Sequence, residues 1–225
     1  TATQSGTYVI KATSGAITST VVMHVVVDDR APVVKISLNN HTLKKGTFIS
    51  RKPKLTILIT DETGIDAGSL RIFIGGKKLS AQSLQTQVIK TQDEAPTSLQ
   101  VSTQLTDTDA LDEGKHNLRV EVSDTSGNAA TASTQELVVQ SGNPVLLAAP
   151  INYPNPFAPS KGQSTFINYS LNVDTNIVAY IYDITGTLVW KRTLTSGTKG
   201  GTAGENEIEW TGRTDFGEFA SNGAY

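Results

Sequence analysis

The sequence predicts an all-β protein built from tandem Ig-like antiparallel β-sandwiches in a rod-like array. Two observations carry that expectation. Helical periodicity is almost absent, whereas short β-branched runs bounded by Gly, Asn, Asp, Ser and Pro recur along the whole chain. A glycine followed by an alternating strand also recurs, at Gly6 in "SGTYVIKAT", Gly114 in "EGKHNLRVEV" and Gly223 in "SNGAY", with spacings of 108 and 109 residues. A sandwich of about 100 residues plus a linker has that period.

Taken in order, strands are predicted over 7–12, 17–27, 33–38, 55–60, 70–74, 99–105, 116–122 and 130–139. They resume at 166–171, 177–182, 188–194 and 205–210, each showing alternation or a β-branched run. "VVVDDRAPVV" (25–34) and "LVVQSGNPVLL" (137–147) each end a strand, insert polar residues and one proline, and begin another strand. Proline fixes φ and lacks a donor, so it ends a ladder and stiffens the connection. The expected partition is therefore 1–29, the last hairpin of a preceding domain; 30–142, a complete domain; and 143–225, a domain that stops where its final strand would begin. The stretch "INYPNPFAPSKGQSTFINYSL" (151–171) packs prolines and asparagines ahead of the first strand of that last domain. Pro154, Pro156 and Pro159 are expected to keep the segment out of either sheet, with Tyr153 and Phe157 clamping it to the core.

Composition excludes several function classes. The 225 residues carry a net charge of −2, which does not suit a nucleic-acid or anionic-membrane surface. The longest apolar runs are strand-sized, well short of the roughly 20 residues of a spanning helix, so no direct membrane insertion is expected. There is no cysteine, so each core must hold by burial alone.

Two segments resemble known families. "ITDETGIDAGSLRIFIGGKKL" (59–79) with "GKHNLRVEVSDTSGNAATA" (114–132) resembles the bacterial Ig-like repeats of large surface proteins. There an Asp-x-(Ser/Thr)-Gly-Ile turn precedes a strand and a Ser-Asp-x-x-Gly-Asn hairpin joins the last two. "NYPNPFAPS", "VAYIYDITGTLV" and "ENEIEWTGRTDFGEFASNGAY" resemble, in that order, the Ig-like module of flagellar hook-capping proteins and the type IX secretion C-terminal sorting domain. The resemblance implies structural roles for Tyr153, Pro154, Asn155, Pro156, Phe157, Tyr182, Asp183, Gly186, Trp210, Gly212, Gly217, Gly223 and Tyr225. It also implies an extracellular or cell-surface bacterial protein.

Candidate sites follow from residue type and position. Asp28, Asp29, Asp61, Glu62 and Asp124 occupy linker and turn positions that can converge at a domain junction and offer Ca²⁺ hard oxygen ligands. Asp107, Asp109, Asp112 and Glu113 read as a solvated acidic loop. His24, His41 and His116 have no metal-ligand spacing, and no Gly-x-Ser-x-Gly elbow is present, so catalysis within this chain is not expected. Trp190 and Trp210 serve either as core or as stacking faces for surface glycans. The expected function is that of a non-catalytic spacer and sorting or assembly region of a large secreted or surface protein such as an adhesin or filament component. Its partners would be secretion or assembly machinery, or neighbouring copies paired at a strand edge. Two other readings are the accessory tail of a secreted hydrolase with an upstream catalytic domain, and a carbohydrate-binding module.

Overall fold

The computed structural model describes residues 5–25, 27–39, 41–92, 95–103 and 105–225. Val26 and Gln104, within two of the predicted strands, lie outside them. The chain is all-β and its sheets are antiparallel, in agreement with the predicted fold class.

The strands fall into three groups. β1 (Gly6–Ser14) and β2 (Ile17–Val25) form a two-stranded ribbon with Gly6 opposite Val25. The next group contains β3 (Val33–Leu38), β4 (His41–Thr42), β5 (Leu55–Thr60), β6 (Ile65–Ile74) and β7 (Lys77–Lys78). It continues with β8 (Leu84–Gln92), β9 (Ala95–Thr103), β10 (Gly114–Asp124) and β11 (Ala129–Val139). These build two sheets, ordered β4-β3-β5-β9-β8 and β11-β10-β6-β7. Side chains alternate across a strand, so "LTILIT" in β5 sends Leu55, Ile57 and Ile59 inward, each with no exposed surface. They share a core with Leu99 and Val101 of β9, Ile72 and Ile74 of β6, and Leu118, Val120 and Val122 of β10. Each fully buried aliphatic side chain of this kind contributes roughly 1.5–3 kcal/mol. Residues 46–49 run along the edge of β11, where the Ile49 amide donates to Val138 O (2.8 Å) and the Val138 amide to Thr47 O (2.9 Å). That stitch ties one sheet to the other.

The last group comprises β12 (Ile151–Tyr153), β13 (Thr165–Leu171), β14 (Ile177–Tyr182), β15 (Leu188–Leu194) and β16 (Gly204–Trp210), in sheets β12-β13-β16 and β14-β15. Its core is smaller: Tyr169, Leu171 and Ile208, with Ile167, Ile177, Ala179, Trp190 and Leu194 packed against them.

Three expectations change. Residues 151–153 do join a sheet, pairing Ile151 with Asn168 and Tyr153 with Phe166, and the cis Tyr153–Pro154 bond follows directly on the last paired residue. A proline bars only the positions that must donate to the ladder, and the first of the three comes after β12 ends. Tyr153 does not clamp the core: it is 76% exposed on that edge. β8 was not predicted, because "LQTQVIKTQ" has little apolar alternation and breaks register near Val88 and Lys90.

A candidate cation site and the sandwich junction

Asp61 directly follows β5, Asp124 ends β10, and Asp28 lies in the segment between β2 and β3. The sheet register therefore brings all three to one pole of the 33–139 sandwich. One carboxylate oxygen from each lies within 4.8 Å of the other two. Asp61 and Asp124 are buried and Asp28 is half-buried.

Local turn chemistry sets the side chains. Asp61 Oδ1 accepts from the Thr63 amide (2.9 Å), the Gly64 amide (2.8 Å) and Thr63 Oγ1 (3.0 Å), closing the Asp-x-Thr-Gly turn. Asp61 Oδ2 is buried and has no hydrogen-bond partner. Asp124 closes the following hairpin, its Oδ1 accepting from the Asn128 amide and its Oδ2 from Asn128 Nδ2, both at 2.8 Å. Asn128 Nδ2 also donates to Asp28 O (3.1 Å), so one side chain joins the hairpin to the linker. Thr63 Oγ1 donates to Asp28 Oδ2 and the Arg30 amide donates to Asp28 Oδ1 (3.1 Å). The Thr63 hydroxyl bond, then the Arg30 amide bond, hold the Asp28 carboxyl below the usual carboxylate range. The pole thus gathers negative charge and an all-oxygen donor set. Asp29 and Glu62 stand outside the group: Asp29 is exposed, and Glu62 pairs with Arg30 at 3.0 Å. Sequence position alone could not separate the three from the five.

The acidic loop at 107–113 is not merely solvated. Asp109 Oδ2 accepts from Ser80 Oγ (2.8 Å) and from Ser83 Oγ, and Asp107 pairs with Lys52. The loop is thereby fastened to the turn ahead of β8.

At the opposite pole the 33–139 sandwich meets the last group of strands. Asn39 Nδ2 donates to Thr202 Oγ1 (2.9 Å) and Glu205 O (3.1 Å), and His41 Nδ1 lies 3.1 Å from Glu205 Oε2. Gly204 sits at φ +92°, and a Cβ there would fall 2.5 Å from Phe48 O and 3.3 Å from Leu38 Cδ2. Only a glycine accommodates both that backbone and that approach. Thr202, Gly204 and Glu205, at the end of the Gly-rich stretch 195–205, therefore form the contact surface, a role the composition of that stretch did not announce.

The motif residues of the last group make a clasp. Phe157 and Tyr225 each place a ring 5.4 Å from that of Trp210, which is buried and donates Nε1–H to Arg213 O (2.9 Å). Gly212, at φ +73°, lets Pro159 come so close that a Cβ would lie 2.2 Å from Pro159 Cγ. Thr165 Oγ1 donates to Pro154 O (2.8 Å) and Asn155 Nδ2 to Asn152 Oδ1 (3.3 Å), fixing the turn that also holds Pro156. Asp183, after Tyr182, accepts from the Thr185 and Thr187 amides (2.9 Å each), and its carbonyl accepts from the Gly186 amide (3.0 Å). Gly217 O accepts from Arg213, whose guanidinium covers the Phe219 ring. A groove of about 770 Å³ runs between the clasp and residues 220–225, Gly223 and Tyr225 included. Trp190 packs partly buried against the Tyr169 cluster, so it and Trp210 both serve packing. Tyr180 and Tyr182 are among the exposed rings and stack on each other along β14 at 6.1 Å.

No helix among the described residues is long and apolar enough to cross a membrane. No family model matches the sequence, and no curated protein matches it. Among solved structures, dimeric latent PorU from Porphyromonas gingivalis aligns with a TM-score of 0.39 and 22% identity over 87% of this chain. The chain spans 18% of that protein's length.

Proposed function

We propose that this chain is a non-catalytic structural region of a secreted or cell-surface bacterial protein, in which 30–142 acts as a spacer and 143–225 faces secretion or assembly partners. The observation that supports this reading most is the junction at Asn39, His41, Phe48 and Gly204. There, backbone packing and side-chain hydrogen bonds join consecutive sandwiches directly. The linker adds to it: Val145 donates to Asn172 Oδ1 (2.6 Å), Asn172 Nδ2 to Asn143 O (3.2 Å), and Leu147 to Ser170 O (2.9 Å). A connection so tied transmits position from one sandwich to the next. The histidines are engaged structurally on three separate strands: His24 with Thr7, His41 with Glu205, and His116 with Asp112 O.

Small-angle X-ray scattering combined with paired spin labels on β10 and β15 tests this reading. A single narrow inter-label distance is the expected result. A broad distribution, as from beads on a flexible string, refutes the spacer role.

A further inference from the structure

We propose that Asp28, Asp61 and Asp124 form a calcium site that locks the segment ahead of β3 onto the pole of the 33–139 sandwich. This stands independently of the spacer reading, since it concerns a site and not the relation between sandwiches. Oxygens coordinating one Ca²⁺ lie about 2.3–2.6 Å from it, hence no more than about 5 Å apart across the ion. The three carboxylates meet that spacing.

Acidic residues in turns need no metal, and Asp61 Oδ1 and Asp124 account for themselves as turn acceptors. Asp61 Oδ2 does not. It belongs to a residue only 7% exposed and has no donor, in a group of three carboxylates. A buried acceptor without a partner is costly, and one on a residue grouped with two further carboxylates is costlier. Among the described residues none of the three forms an ion pair, because the nearby Arg30 guanidinium is bound to Glu62. A hard cation supplies the missing charge. An all-oxygen set drawn from three separate segments suits the irregular coordination of Ca²⁺ better than the strict octahedron of Mg²⁺, and it offers no nitrogen or sulfur to Zn²⁺.

The test uses the whole chain stripped with chelator, then titrated with CaCl₂ by calorimetry and followed by thermal melting. Calcium is expected to bind with a Kd at or below about 10⁻³ M, the range of extracellular modules, and to raise the melting temperature of the 33–139 sandwich. Asp61→Asn removes one negative charge from the group and can place an amide donor at the orphan position. That variant is expected to melt higher than wild type without calcium and to lose the calcium-induced shift. Asp28→Asn, at the half-buried member, is expected to weaken binding at least tenfold. Asp112→Asn, on the distant loop, is expected to leave it unchanged. No heat of binding and no shift in the wild type overturns the proposal, as does a shift that Asp61→Asn and Asp28→Asn both retain.

Discussion

Replacing Trp210 by alanine should detach the opening clasp while sparing the larger sandwich. The indole is buried, meets two aromatic rings at 5.4 Å, and satisfies Arg213 O. Truncating a buried Trp or Phe to Ala costs about 3–5 kcal/mol, the aromatic pairing included. A unit of this length is expected to hold about 4–12 kcal/mol in all, and its fully buried cluster is only Tyr169, Leu171 and Ile208. The variant therefore brings the last group of strands near its unfolding threshold. Urea melts can resolve this, because both tryptophans of the chain lie in this group and Trp190 remains as a fluorescent reporter. Fluorescence should report an early transition, while circular dichroism retains a later one from the core around Leu55 and Val120. Trp210→Phe should recover most of the loss, missing mainly the indole hydrogen bond at about 1 kcal/mol. A Trp210→Ala cost below about 0.5 kcal/mol, within the range of surface substitutions, would show that the clasp is not part of the core.

Gly204→Ala should cost about 1–3 kcal/mol through backbone strain, with more from the overlap with Phe48 O, and should broaden inter-sandwich label distances. Gly212→Ala should loosen the Pro159 contact and expose the 154–163 turn to proteases, as peptide mapping would reveal. Burial pushes the Tyr169 phenol up to about 12, and its hydroxyl donates to Gly200 O. Its contribution is complete below pH 10 and disappears as pH rises through about 12, a dependence that Tyr169→Phe should abolish in alkaline melts. Asp107, Asp109, Glu136 and Asp183 are held below their ordinary values of 3.8 or 4.5, chiefly by hydrogen bonds from Lys52, Ser83, Lys45 and Thr185 respectively. Their stabilisation is present above those values and lost as pH falls beneath them, so acid melts should show falling stability there.

Strands that bury one full face were legible because alternation is the direct imprint of a half-buried pleat: "LTILIT" and "HNLRVEV" could hardly be anything else. β8 was not, since an edge strand exposed over most of its length and interrupted by bulges carries no such imprint. β12 was hidden by its own prolines, whose veto on pairing begins one residue after the strand ends. At the cation site, the turn chemistry of Asp61 and Asp124 was readable from Thr63-Gly64 and Gly127-Asn128. What singles out Asp28 over Asp29 is which way the linker presents its side chains, and that depends on Asn128, one hundred residues away. The junction was the least legible part. Glycines that permit close approach look in sequence like glycines of a loose loop.

The placement of the two poles also determines how the chain bears tension. β3 starts at the Asp61–Asp124 end and runs toward Gly204, while β11 leaves the Asp124 hairpin and finishes at the other end with Val139. A pull on the flanking chain therefore draws β3 and β11 in opposite directions along their own axes. The ladder bonds of β3 with β5, from Val33–Thr60 to Leu38–Leu55, lie across that direction. They are strained together and must give way together, instead of parting one after another as a peeled hairpin does. Tugging on such a segment meets its greatest resistance before the first strand moves.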